Sequence, residues 1–277
     1  MAEFWTRYRR NRAAVLGLGI LFIILFMAAT AHLFYPEDPF RLVGRPLSGP
    51  LENGFLLGSD SLGRDVASGI VHGAKTSLLI GLIATLVSIF IGIFFGAFSG
   101  YFGGRVDDLL MRVTEIFQTI PSFIFAILLV AIMKPSIFSI VIAIAVVSWP
   151  GVARLVRGEF LSLKNREFVQ ACHTIGMSDL RVMLGEILPN CLSPIIVIGS
   201  LMVATAILIE SGLAFLGLGD PNIMSWGFQI GAGRTMLRSA WWVCTLPGIA
   251  ILITVLAINL IGEGLNDALN PRLKERQ

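Results

Sequence analysis

Charge is what this sequence has least of. Asp, Glu, Lys and Arg make up 14% of its 277 residues and apolar residues 55%, proportions that exclude an ordinary soluble enzyme. Cysteine is sparse too: Cys172, Cys191 and Cys244 are odd in number, share no C-x-x-C spacing and lie in or near apolar runs. That pattern supports neither a disulfide framework nor a cysteine metal site. The three histidines, His32, His72 and His173, fall in three separate regions, so no metal or His-based catalytic cluster is expected. A phosphate-binding loop is missing as well. Gly69 to Thr76, GIVHGAKT, imitates one, but Gly73 comes one residue early and the Lys-Thr end opens an apolar run, so no nucleotide or other cofactor is expected on this chain.

What fills the space is apolar sequence in runs of membrane-spanning length, ~20 residues each. Arg7, Arg9, Arg10 and Arg12 precede a run from Ala13 to Phe34, too long for the core of a signal peptide and without a convincing cleavage site, so it reads as a retained span. Residues 35 to about 75 are polar and rich in Gly and Pro. Five more spans are expected at about 76–100, 107–133, 136–155, 192–216 and 242–264. The fold class is therefore an all-α polytopic membrane protein with six transmembrane helices. Residues 1–75 form an N-terminal span with an external segment, and residues 76–277 form the core.

With the N-terminus inside, fourteen of the 21 Lys and Arg residues, including Arg272, Lys274 and Arg276, fall on the cytoplasmic side and seven on the other. The bias predicts cytoplasmic N- and C-termini. Positive-inside topology also accounts for the net charge of +3 without a nucleic-acid partner.

One long segment is amphipathic, Arg166 to Pro189. Phe168, Ala171, Cys172 and Ile175 fall at i, i+3, i+4 and i+7, a helical stripe. Gly176 stops that helix in a left-handed cap, and Ser178 with Asp179 opens a second one with Leu180, Met183, Leu184 and Ile187 on its apolar face. Pro189 ends or kinks it where the next span begins. On pattern alone this helix-turn-helix is either a partner-docking element or an interfacial hairpin covering lipid headgroups.

Within the spans, Gly92, Gly96 and Gly100 recur at intervals of four and invite close helix approach. Glu115 and Gln118 precede Pro121, and Glu115 reads as interfacial beside Asp107, Asp108 and Arg112. Glu210 lies ~24 Å along the fifth span from Pro194. An acid there lines a cavity or gate, or bonds to a neighbouring subunit.

The amphipathic segment resembles the signature loop of bacterial ABC importer permeases, Glu-Ala-Ala, three residues, Gly, nine residues, Ile-x-Leu-Pro. Gln170, Ala171 and Cys172 occupy the triplet, Gly176 follows, and Leu188-Pro189 close it. Gln170 replaces the triplet's acid, and Glu186 sits at the isoleucine position. The ending Ile187 to Asn190 is similar to the dipeptide/oligopeptide/nickel branch. So are Leu57 to Asp65, LGSDSLGRD; Phe215 to Gly219 with Ser225-Trp226-Gly227; and Trp241-Trp242, Pro247-Gly248 and Asn259 through Pro271.

The resemblance implies a permease subunit supplying half of the pathway of an ATP-driven importer for peptides or related small solutes, in a bacterial or archaeal plasma membrane. Its partners would be a second homologous permease, two ATP-binding subunits that carry ATP and magnesium, an extracytoplasmic solute-binding protein and the lipid bilayer. The loop at about 164–190 would then be the cytoplasmic coupling loop, with Glu167, Phe168, Gln170, Ala171, Cys172, Ile175 and Gly176 facing an ATPase. Asp60, Arg64 and Asp65 would either contact the binding protein at the external mouth or form a salt-bridged cap. The chain itself would be no enzyme. An ion-gradient-driven secondary transporter is the alternative class; it predicts an internal inverted repeat and midplane charges, which are not evident.

Overall fold

The computed structural model describes residues 2–269, and among these the only β feature is an isolated bridge between Ser59 and Asp65. Everything else regular is helical. A short amphipathic α1 (Ala2–Arg10) leads into α2 (Arg12–Ala29) and α3 (Ala31–Phe34). An irregular segment then precedes α4 (Val66–Phe102), α5 (Gly104–Thr119), α6 (Ser122–Met133) and α7 (Ile137–Leu163). The chain continues through α8 (Glu167–Thr174), α9 (Asp179–Arg181), α10 (Leu188–Leu213), α11 (Trp226–Gly233) and α12 (Trp242–Leu269).

Among the described residues five helices are long and apolar enough to cross a membrane: α2, α4, α7, α12, and the run Asp179–Leu218 that contains α10. The sixth crossing is the pair α5 and α6, bent by 84°. Six spans were expected, and the third differs in being broken. Pro121 is the cause. The residue before a proline is sterically pushed out of the helical region, and Ile120 is extended at φ −93°, ψ 129°.

The span expected from about residue 76 begins ten residues earlier, at Val66, so the 75/76 division falls inside α4. Its first turns carry small and polar residues that a hydropathy reading discounts. Asp65 caps them, accepting from the Ala67 N–H at 2.8 Å. At 37 residues, α4 is ~55 Å long. It packs most extensively on α7, and the glycine row explains why. A Cβ added at Gly92 would lie 2.4 Å from Cβ of Val152, and one at Gly96 would lie 2.4 Å from the Ala153 carbonyl oxygen.

The second helix of the 166–189 segment does not end at Pro189. After α9 the backbone widens into a π turn over Val182–Ile187 and runs on into α10. The Leu188 N–H reaches back five residues to the Met183 carbonyl. A wide turn at this place accommodates a residue that has no N–H to donate, which a regular α-helix does not.

The N-terminal helices pair with α12: Tyr8 packs against Gly264, and Asn11 Nδ2 donates to Asp267 at 3.0 Å. The basic tail residues Arg272, Lys274 and Arg276, and the end of the Asn259–Pro271 motif, lie outside the described residues.

Candidate coupling surface, cap and polar cleft

At one end of the molecule α8 and α9 flank Gly176, which has φ +78°. The Met177 N–H bonds to the Cys172 carbonyl at 3.1 Å and the Gly176 N–H to that of His173 at 3.0 Å, the paired bonds of a Schellman cap. The stripe expected from sequence divides between two environments. Val169, Val182, Met183 and Ile187 are fully buried against Ala97 of α4 and Phe160 of α7, with Cys172 and Met177 packed at the edge. Phe168, Ala171 and Gln170 are exposed, Ile175 is 77% exposed, and Leu180 and Leu184 are each 57% exposed. An eight-residue helix lying on two others buries one narrow strip and leaves the remainder of its apolar residues without partners. Glu167 lies in the first turn of α8, where a carboxylate is favoured.

Sequence reasoning missed the residue that fastens this element. Tyr101, in the last turn of α4, donates its hydroxyl to Asp179 Oδ1 at 2.6 Å and sits 3.4 Å from His173 Nε2. It therefore touches both sides of the Gly176 hinge.

At the opposite end, residues 35–65 form a cap over the starts of α4 and α12. The Leu57–Asp65 motif is part of its framework. Ser59, fully buried, accepts from the Ser48 N–H at 2.9 Å, donates to the Arg45 carbonyl at 2.7 Å, and offers its own carbonyl to Trp242 Nε1 at 3.1 Å. Asp60 Oδ1 accepts from the N–H groups of Leu62 and Arg64, both at 2.8 Å. The Arg64 guanidinium stands 5.0 Å from the centre of the Phe40 ring. Burial holds the Asp65 carboxyl above its ordinary pKa, opposed by the backbone N–H groups of Ala67 and Ser68. Asp60 and Asp65 are thus engaged by backbone N–H groups within the cap, whereas Arg64 only lies over Phe40 and its buried Nε has no hydrogen-bond partner among the described residues; the salt bridge of the cap is elsewhere, between Glu37 and Arg41. A cleft of about 450 Å³ opens between Tyr35, Asp38, Phe55 and Asp65.

Glu210 is enclosed within its own chain, only 1% exposed. Ser225 Oγ donates to Oε1 at 2.7 Å, and Ser211 Oγ lies 3.4 Å from Oε2. Ser225 also N-caps α11, so the carboxylate stands at the N-terminal end of that helix, where its dipole is favourable. A Cβ at Gly227 would meet both carboxylate oxygens at 2.9 Å, which accounts for glycine there. The partner that sequence reasoning left unidentified is fifteen residues further along.

His32 and His72, expected apart, are brought together with ring centres 5.0 Å apart. His173 is at the other end beside Tyr101. Among the described residues no group of three His, Cys, Asp or Glu side chains is placed to hold a metal.

A second cleft, of about 370 Å³, lies between α5 and α7 at the α8 end. Glu115, read from sequence as interfacial, lines it together with Gln118, Asp108, Arg112 and Arg154. Its floor is fixed by Asp107, which takes bonds of 2.6 Å from both Nε and Nη2 of Arg157 and a further bond from Ser99.

Comparison with known proteins places these features. Residues 88–275 match the family described as binding-protein-dependent transport system inner membrane component, and residues 1–47 match the N-terminal transmembrane domain of oligopeptide transport permease C. A di/tripeptide transport system permease protein, DppC, of Pseudomonas aeruginosa is 42% identical, the match covering 99% of this chain and 93% of that protein. The dipeptide transport system permease protein DppC of Escherichia coli strain K12 is 45% identical over 99% and 94%. Among solved structures, an inward-facing MetNI methionine ABC transporter aligns with a TM-score of 0.60 at 16% identity, over 73% of this chain and 96% of that one. An amino acid ABC transporter aligns at 0.57 and 13%, over 72% and 94%. Both likenesses concern the fold.

Proposed function

Because this chain belongs to the family of binding-protein-dependent transport system inner membrane components, we propose that it supplies half of the translocation pathway of an ABC importer for di- and tripeptides. The membership makes it a multi-pass inner-membrane permease subunit and sets aside the ion-driven alternative. The peptide substrate class is supported by the names of relatives such as those of Pseudomonas and Escherichia coli.

The observation that carries the mechanism is the exposed face of α8. Ala171 and Ile175 are apolar and exposed and Phe168 is partly so, yet the helix bearing them is fixed by a cap at Gly176 and by Tyr101. A rigid helix offering a small apolar face is suited to a groove in another protein. We assign that groove to an ATP-binding subunit. Glu167, Gln170 and Cys172 border the contact, with Gln170 a neutral side chain where the family motif has an acid.

In this reading the 166–189 end is cytoplasmic, as are both termini, and the 35–65 cap is external. Two ATP-binding subunits carry ATP and magnesium, and this chain binds no cofactor. A second permease completes the pathway. The cap meets a solute-binding protein, with Asp60, Arg64 and Asp65 shaping its surface from within. Glu210 acts as a fixed post behind the pathway, holding α10 to α11.

The test is reconstitution. The complex of this chain with its partner subunits should import a labelled dipeptide only with ATP and a binding protein present, and the isolated chain should hydrolyse no ATP. A thiol-labelled Ser178→Cys should report the cytoplasmic side and Asn53→Cys the external side. Peptide uptake that survives removal of ATP but collapses with an ion gradient would overturn the reading.

A further inference from the structure

The break between α5 and α6 lies deep in the span. The Phe117 ring is 5.3 Å from that of Trp149, and Trp149 with Pro150 stands at the middle of the Ile137–Leu163 helix. Yet Gln118, Thr119, Ile120, Pro121 and Ser122 are all exposed in this chain. Irregular backbone at that depth is tolerated where it lines a water-filled cavity or is covered by protein. The 370 Å³ cleft starts at this break, at Gln118, and runs along α5 to Asp108. Its size falls within the roughly 300–1,000 Å³ of small-molecule sites.

The charges around it are balanced, with Asp108 also in the field of Arg157. Asp107 and Arg157 are bonded to each other. Asp108, Arg112, Glu115 and Arg154 form no ion pair among the described residues, so two carboxylates and two guanidiniums face one cleft. Charged side chains within a membrane span face a cavity or a partner group. A set of both signs is complementary to a ligand that carries an ammonium and a carboxylate a few ångströms apart.

The geometry points to the α5–α7 cleft as the exit site for the imported solute, with Glu115 and Asp108 taking the ammonium of a short zwitterionic peptide and Arg112 and Arg154 its carboxylate. This rests on the peptide reading given above, and it places the solute at Glu115 and Gln118 rather than at Glu210. Glu210 has no comparable free space, being enclosed by Ser211, Ser225 and Gly227.

The experiment uses the reconstituted complex. Glu115→Cys and Gln118→Cys are treated with a membrane-impermeant thiol reagent on the cytoplasmic side, and labelling is read against the unmodified chain, whose Cys191 and Cys244 are buried and whose half-buried Cys172 sets the background. Both positions should label without nucleotide and slow by about tenfold on trapping with ATP and vanadate, the scale of a modest population shift. Leu128→Cys, on the outer side of α6, should stay unlabelled.

Separately, Glu115→Gln and Arg154→Gln should lower dipeptide imported per ATP hydrolysed by about tenfold, the scale of one lost charge-assisted bond, with ATPase subunits retained. Arg154→Lys should restore most of it. Labelling absent at both positions in every state would mean the partner permease covers the break, and the proposal fails. Unchanged import per ATP in both charge variants would equally overturn it. If the two cysteine variants label as described but the unmodified complex imports no dipeptide, the failure lies in the substrate class and takes the named ligand with it.

Discussion

The two ends of this molecule use their side chains in opposite ways. In the cap of residues 35–65, the polar groups are turned inward: Ser59 is fully buried with three hydrogen bonds, and Asp60 and Asp65 bind backbone N–H groups next to them. In the α8–α9 element, fixed at Gly176, part of the apolar set is turned outward, with Ile175 77% exposed. The cap's own exposed apolar residues, Leu42, Leu51 and Leu56 among them, are scattered along irregular backbone and form no helix face. A rigid helix that still exposes Ala171 and Ile175 on one face is what the proposed docking to another subunit rests on.

The sharpest way to break that comparison is to charge the exposed face. Ala171→Glu should leave the thermal stability of the purified chain unchanged, since nothing in the chain covers it, while ATPase subunits are retained at least about tenfold less well, the cost of spoiling a central contact. Uptake should fall with them. Retention at the wild-type level would return α8 to the status of a lipid-covering hairpin.

Substitutions that attack the frameworks come next. Gly176→Val forces a β-branched residue to φ +78°, at about 1–3 kcal/mol, and should damage ATPase retention and uptake more than accumulation in the membrane. Its counterpart is Trp242→Phe, which strands the buried Ser59 carbonyl at about 1–3 kcal/mol. That loss should appear as a lower thermal midpoint with ATPase retention intact. If the two variants showed the same phenotype, the ends would not be separable as argued. Tyr101→Phe is milder, because the hydroxyl it removes is partly solvated. A drop of about 0.5–1.5 kcal/mol is the expected scale for its bond to Asp179, read as fewer peptides imported per ATP with assembly unaffected.

How much of this was legible in the sequence depends on how far apart the cooperating residues are. Six apolar runs, the left-handed cap at Gly176 and the close approach at Gly92 and Gly96 are local patterns, and each is present. The strip of α8 that becomes buried is Val169 with Cys172 rather than the whole periodic stripe, because α4 and α7 choose it and the periodicity of one helix does not. Pro121 stood in the third span, yet that span was read as unbroken, and the 84° angle goes with the packing of α6 on α7. The meeting of His32 with His72, and of Tyr101 with Asp179, joins residues 40 and 78 positions apart and left no signal in one sequence. Ser225 ahead of Trp226 was a readable N-cap. That its hydroxyl would also serve Glu210 was not.

The smallest effect tests the cap from its charged side. Burial raises the Asp65 carboxyl above its ordinary value of 3.8, and the N–H groups of Ala67 and Ser68 oppose that rise. A carboxyl whose folded pKa exceeds its unfolded one destabilises the fold when ionised. The penalty is complete above the folded value and fades as pH falls through it toward the unfolded value. Asparagine keeps the capping oxygen of residue 65 and removes the titration. Wild type should therefore gain in thermal midpoint relative to Asp65→Asn as pH is lowered from neutral into the window just above 3.8. The opposite slope, with wild type losing ground on acidification, would mean that the two backbone donors outweigh burial. The carboxylate would then stabilise the cap as a charge, and the contrast drawn between the two ends would have to be restated for this residue.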